Sequence, residues 1–68
     1  MASAIINGRR VEIPSTATDE AIREAGGITS GRTLIKREKN GNFVVPRGSK
    51  LNVKDGDVFI DAPARTKG

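Results

Sequence analysis

The sequence predicts an α+β domain in which one helix packs against a mixed sheet of four to five strands. Three observations predict this class: short β-branched runs, two Asn-Gly pairs typical of hairpin turns, and one segment with helical spacing between two hairpin-like units. A helix in that position buries its apolar side only by covering one face of a sheet. With 68 residues, the chain predicts one domain. We expect it over residues 1–63, followed by a flexible tail over residues 64–68.

The first predicted element is a hairpin over residues 2–13. Asn7 and Gly8 suit a type I′ turn, because both of its central positions need a positive φ. A two-residue loop pairs Ile6 with Arg9, and this register sets which side chains share each face of the hairpin. A three-residue loop with a bulge would reverse those faces.

The single predicted helix runs from about Asp19 to Ala25. Thr18 is a competent N-cap, and two acidic residues follow it in the first turn, where the helix dipole favours anions. Gly26 and Gly27 end the helix, because glycine adopts the left-handed conformation of a C-terminal cap. The apolar residues at helical spacing are Ala21, Ile22 and Ala25.

Three further strands are predicted after the helix, over residues 33–38, 43–45 and 58–62. The Asn-Gly pair at 40–41 joins the first two as a second hairpin, and residues 49–54 are expected to form an irregular turn. The right-handed crossover rule makes the first and last strands the parallel central pair. This is a β-grasp arrangement, in which the sheet clasps one helix.

Strand parity divides the apolar residues between a core and an exposed patch. Because burying Asp61 without a partner is costly, we expect Asp61 and its same-face neighbour Phe59 to point outward. The predicted core consists of Ala4, Ile6, Val11, Ile13, Ile22, Ala25, Leu34, Val58 and Ile60. The predicted partner-binding patch consists of Ile5, Ile35 and Phe59, with Arg10 and Arg37 in its charged rim. It would bind a partner protein or a second copy of the chain, giving a homo-oligomer.

The composition favours a binding or carrier protein over an enzyme. The chain has no cysteine and no histidine, which excludes thiol and imidazole catalysis and zinc sites of the usual kind. Asp55 and Asp57 lack the further ligands of a calcium loop and suit a tight turn instead. We therefore expect no catalytic residue, no metal and no cofactor.

The charge and hydropathy pattern bounds the partners. Twelve Lys+Arg against eight Asp+Glu give a net charge of +4, but the cations are spread along the chain and the only aromatics are Phe43 and Phe59. This argues against a nucleic-acid partner, which needs clustered cations and stacking aromatics. No apolar run approaches the roughly 18 residues of a membrane span, and no apolar signal segment is present. We expect a cytoplasmic protein without a membrane partner.

Three segments in order resemble the β-grasp ubiquitin-like proteins, above all the bacterial ubiquitin-like and multiubiquitin domains. They are INGRRVEI at 6–13, TDEAIREAGGI at 18–28 and GDVFIDAP at 56–63. The turn before the last strand is also similar to that of the sulfur carriers of thiamine and molybdopterin synthesis. The resemblance covers nearly the whole chain, and it implies a ubiquitin-like β-grasp fold.

The resemblance also implies a function as a protein modifier. Such proteins are activated at a C-terminal glycine, and Gly68 matches this glycine. The tail that precedes the glycine enters the activating enzyme, and the matching residues here are Arg65, Thr66 and Lys67. The implied partners are an E1-like activating enzyme that adenylates the carboxylate with ATP, an E2-like transfer enzyme, a deconjugating peptidase and a target protein. Glycine suits this role because it has no Cβ to obstruct a narrow channel.

One departure from the family leaves two alternatives open. Ubiquitin and the sulfur carriers end in two glycines, whereas Lys67 precedes Gly68 here. The first alternative is an interaction or self-assembling β-grasp module that is never conjugated. The second is a sulfur carrier, in which Gly68 becomes a thiocarboxylate.

Overall fold

A computed structural model of the chain describes residues 1–63, which form seven strands and one helix. The predicted tail over residues 64–68 lies outside the described residues. The elements are β1 (Ala2–Ile6), β2 (Arg9–Ile13), β3 (Thr16–Thr18), α1 (Asp19–Gly26), β4 (Arg32–Glu38), β5 (Gly41–Val44), β6 (Lys50–Asn52) and β7 (Val58–Pro63).

Five of the strands form one mixed sheet in the order β2-β1-β7-β4-β5. β1 and β7 pair in parallel near its centre, and the other three pairings are antiparallel. The α+β class with one helix and a mixed sheet of five strands is therefore confirmed. The predicted parallel pairing of the first and last strands is also confirmed, as expected when a right-handed crossover joins two strands of one sheet.

The first hairpin has the predicted turn and register. Asn7 and Gly8 both have positive φ, at 52° and 82°, as a type I′ turn requires. Ile6 pairs with Arg9 and Ala4 with Val11. No bulge intervenes, so β1 and β2 place the predicted residues on each face.

Local capping fixes both ends of α1. The Thr18 hydroxyl accepts a hydrogen bond from the Ala21 amide at 3.2 Å, as predicted for an N-cap. Gly27 has a φ of 71° and closes the C-terminus, one residue later than the prediction. Gly26 touches β1, because a Cβ at this position would lie 2.3 Å from Ile6 Cγ2. The side of α1 that faces the sheet therefore includes Gly26 and excludes Ala25, which is exposed.

A second, two-stranded sheet was not predicted. β3 and β6 pair antiparallel, with Ala17 opposite Leu51. The Val53 amide extends the contact by donating to the Ser15 carbonyl at 2.6 Å. The segment over residues 49–54 is therefore partly a strand, and Ala17 and Val53 both join the core.

The observed core corrects several predicted positions. Its buried apolar residues are Ala2, Ala4, Ile6, Ile13, Ala17, Ile22, Ile28, Leu34, Val45, Val53 and Phe59. Val11 is only partly buried, and the predictions that placed Ala25, Val58 and Ile60 in the core were wrong. Phe59 has no exposed surface, so the prediction that it faces outward was wrong too.

The error on β7 has an electrostatic cause. Asp61, on the same face as Phe59, has a partner: Arg32 Nε donates to Asp61 Oδ2 at 2.7 Å. The Asp61 side chain also keeps 19% of its surface exposed, which lowers the desolvation cost. Asp61 therefore tolerates the core-facing side of β7, and the large Phe59 side chain is free to be buried.

A buried polar cluster of Asp19 and Arg23 joins α1 to two loops. Arg23 Nε donates to Asp19 Oδ2 at 3.3 Å, and its Nη1 donates to the carbonyls of Thr29 and Arg32 at 3.1 and 2.6 Å. Asp19 Oδ1 accepts from the Gly48 amide at 2.7 Å. The charges of the pair and the carbonyls of Thr29 and Arg32 are thus satisfied away from water.

Candidate partner-binding surface

The face of the five-stranded sheet that points away from α1 carries an apolar stripe. Ile5 on β1 lies opposite Val58 on β7, and Ile35 on β4 lies opposite Ile60 on one side and Val44 on the other. These side chains form one continuous stripe across four strands, because alternate residues of a strand share a face. We call this set the outer apolar face: Ile5, Ile35, Val44, Val58, Ile60 and Ala62.

The outer apolar face retains two of the three predicted patch residues. Ile5 and Ile35 lie on it and are half-buried, as are Val58 and Ile60. Phe59 does not belong to it, since it is buried on the opposite face. Val58, Ile60 and Ala62 were missed, although they alternate along β7. Such alternation shows that the three share one face of the strand, but it does not distinguish a core face from an open one.

Two predicted arginines flank this face. Arg10 lies opposite Ile5 in the β1–β2 register, and Arg37 lies opposite Val58 in the β4–β7 register. Both are exposed, and neither forms an ion pair within residues 1–63. Arg10 is held by a hydrogen bond from its Nε to Ser3 Oγ at 2.7 Å. The stripe thus has a cation towards each side, which favours a partner with acidic groups around an apolar centre.

Two shallow depressions lie at opposite ends of the outer apolar face. One, of about 420 Å³, is lined by Thr33, Ile35, Val44, Ala62 and Pro63. The other, of about 300 Å³, is lined by Ser3, Ile5, Gly8, Arg10 and Gly56. The first lies where β7 ends, so the chain leaves the described domain beside an apolar depression.

The predicted tail residues lie beyond that point. Arg65, Thr66, Lys67 and Gly68 are outside the described residues, and their roles stay predictions. The described chain ends at Pro63, which is paired with Arg32 at the end of the sheet. The described chain thus ends beside the outer apolar face.

A polar cleft of about 530 Å³ lies where β4 turns into β5. Its lining includes Lys36, Arg37, Lys39 and Lys54. Lys36 Nζ lies 3.0 Å from Glu38 Oε2, and this hydrogen bond raises the pKa of Lys36 against the opposing effect of desolvation. Lys36 is therefore charged at neutral pH and compensated, whereas the other three cations form no ion pair within residues 1–63.

Comparison with known proteins gives no relative from which to transfer a function. No protein-family model, curated protein or solved structure matches the chain. Within the described part of the chain, no helix combines the length and apolar character needed to cross a membrane. The function is therefore inferred from the residues and from the geometry of this surface.

Proposed function

We propose that this chain is a ubiquitin-like protein modifier with a β-grasp fold. In this proposal the Gly68 carboxylate is adenylated by an activating enzyme and then transferred to a nucleophile on a target protein. The observation that carries the proposal is the outer apolar face, with its flanking arginines, on a small domain whose last strand leads from that face into the tail. We place this activity in the cytoplasm, where ATP is available.

The strand order supports the β-grasp interpretation. A helix follows the first hairpin, and the last strand lies parallel to β1 between it and β4. This order is compatible with a β-grasp, in which the sheet wraps one helix and leaves its other face open. The open face is available to partners, while α1 and the core stabilise the domain.

The tail length limits how a partner enzyme must bind. Gly68 is the fifth residue after Pro63, and an extended chain of five residues spans at most about 17 Å. An enzyme that acts on Gly68 must therefore contact the domain near the end of β7. The outer apolar face is the apolar surface nearest that point, so docking there would bring Gly68 to the reacting groups.

The proposed chemistry needs no catalytic group from this chain. A Gly68 carboxylate oxygen attacks the α-phosphorus of ATP bound by the partner, and pyrophosphate leaves. A nucleophile, such as an amine or thiol, then attacks the Gly68 carbonyl carbon and AMP leaves. Water or sulfide in that second step would give hydrolysis or the thiocarboxylate of a sulfur carrier.

One observation favours a second candidate function. Lys67 occupies the position where ubiquitin and the sulfur carriers have glycine, and its side chain must fit the channel of any activating enzyme. If no enzyme accommodates it, the domain acts as an interaction module that binds a partner, or a second copy, through the same outer apolar face. In both proposals the domain acts by binding and supplies no catalytic group.

The double variant Ile35→Ser with Ile60→Ser tests the role of the outer apolar face. We expect at least tenfold fewer ATP-dependent covalent adducts in a lysate of the source cells, because the partner loses its apolar contact. Each half-buried side chain contributes up to about 1 kcal/mol of cross-strand packing, so the domain stays folded. Adducts are measured on denaturing gels, and the unfolding temperature by circular dichroism.

The matched control is Ala25→Ser, which removes exposed apolar surface from α1. It should leave both adducts and stability unchanged. A folded double variant that forms as many adducts as the unmodified chain contradicts the proposed role of the outer apolar face.

A further inference from the structure

β5 is an edge strand without the protection that natural sheets give their edges. Phe43 and Val44 are 54% and 63% exposed, and no residue of β5 carries a charge. The other edge, β2, carries Arg9, Arg10 and Glu12, all exposed. Charged side chains on an edge discourage pairing with another strand. β5 thus presents apolar side chains and unpaired backbone groups to a further strand, whereas the charged side chains of β2 disfavour such pairing.

The hydrogen-bond register shows which backbone groups of β5 are open. Val45 donates to the Leu34 carbonyl at 2.8 Å, so this pair is a hydrogen-bonded one. Pairs alternate along an antiparallel ladder, so Phe43 also bonds to β4, whereas Val44 and Asn42 point their N–H and C=O groups away from it. These two residues offer four backbone groups to a further strand.

Charge decides what kind of strand fits. Arg37, Lys39 and Lys54 lie around the cleft at the start of β5, and Arg47 follows its end. A second copy pairing its Asn42 with Val44 of this copy would set Lys39 opposite Arg47. In that register, like charges oppose each other at both ends of the strand pair, which disfavours self-pairing. Acidic residues that flank an added strand would instead be attracted to these cations.

We propose that β5 binds an extended, acidic peptide segment of a partner protein as a sixth strand. The segment lies antiparallel to β5 and bonds to the backbone of Asn42 and Val44. One of its apolar side chains packs against the exposed Val44 at the border of the outer apolar face. Its C-terminal acidic residues meet Lys39 and the cleft cations. This is strand addition, in which backbone bonds give affinity and alternate side chains give specificity.

The test uses a synthetic ten-residue probe, in which five residues alternating valine and threonine are followed by five glutamates. We expect saturable binding by nuclear magnetic resonance titration, with the largest amide shifts at Asn42 and Val44. The variant Val44→Pro removes an outward N–H and the exposed valine side chain but no hydrogen bond to β4, and proline is tolerated at such edge positions. We expect it to weaken binding at least tenfold while the unfolding temperature changes little.

The probe itself supplies a measurement that does not depend on the folding of any variant. N-methylation of its valine amides, which form the bonding edge when the valines share the face of Val44, should abolish binding. Replacing its glutamates by lysines should weaken binding at least tenfold. If the Ile5→Ser variant of the chain loses probe binding and the Val44→Pro variant keeps it, the probe binds on the outer apolar face and the proposal is overturned. A dimer of the free chain that Val44→Pro dissociates, or no saturable binding at millimolar probe, overturns it as well.

Discussion

Replacing Phe59 with alanine is expected to destabilise the domain by about 3–5 kcal/mol. Phe59 is the largest side chain without exposed surface, and its removal loses buried apolar area and leaves a cavity between the sheet and α1. Small domains have free energies of unfolding near the lower end of roughly 5–15 kcal/mol. The variant should therefore be largely unfolded by urea concentrations that leave the unmodified chain folded, as measured by circular dichroism.

Val58→Ala is the matched control, because Val58 precedes Phe59 on β7 and points to the opposite face. Val58 is only half-buried, so we expect a loss below about 1.5 kcal/mol. Equal losses at the two positions, or a larger one at Val58, would mean that β7 presents the opposite face to the core.

Replacing Arg23 with methionine is also expected to cost about 3–5 kcal/mol. The change leaves the buried Asp19 carboxylate with the Gly48 amide but without its cation, and it removes the guanidinium donor from two backbone carbonyls. Removing one partner of a buried ion pair is costly because the other charge stays uncompensated away from water. Urea unfolding measures the loss.

A double-mutant cycle separates this charge effect from lost packing. Asp19→Asn removes the charge of the partner with little change in shape. The double variant Asp19→Asn with Arg23→Met should be more stable than the sum of the single losses predicts, by about 1–3 kcal/mol. Strict additivity would show that the two side chains act independently.

Elements with local signals were predictable from the sequence. The Asn7-Gly8 turn, the Thr18 cap and the glycines after α1 each act within a few residues, so their geometry follows from residue type. The hairpin register followed from its turn, and the parallel pairing of the first and last strands from the crossover rule.

Features that depend on distant contacts were not predictable. Asp61 was expected outside because burying a carboxylate without a partner is costly, but the sheet brings it to Arg32, 29 positions away. The pairing of β3 with β6 likewise joins Ala17 to Leu51, and neither segment has a strong strand pattern alone. The Asp19 carboxylate also accepts from the amide of Gly48, which is 29 positions away in sequence.

The candidate surface was therefore predicted in part. Parity on β1 and β4 placed Ile5 and Ile35 on the open face, together with Arg10 and Arg37 on either side. β7 presents to the core the face that was predicted to point outward, so Phe59 does not belong to the patch. The same inversion added Val58 and Ile60, so the apolar stripe is longer than expected.

The modifier proposal is tested most directly by identifying, by mass spectrometry, the remnant of this chain that stays attached to a target side chain after trypsin digestion. Tagged chain is expressed in the source cells, purified under denaturing conditions and digested with trypsin, which cleaves after Lys67. We predict target side chains that carry a single glycine. Lys67→Gly should change the remnant to Thr-Gly-Gly, because cleavage then follows Arg65, and Gly68→Val should leave none. Chain recovered only as free, unmodified protein in all three cases contradicts the proposal.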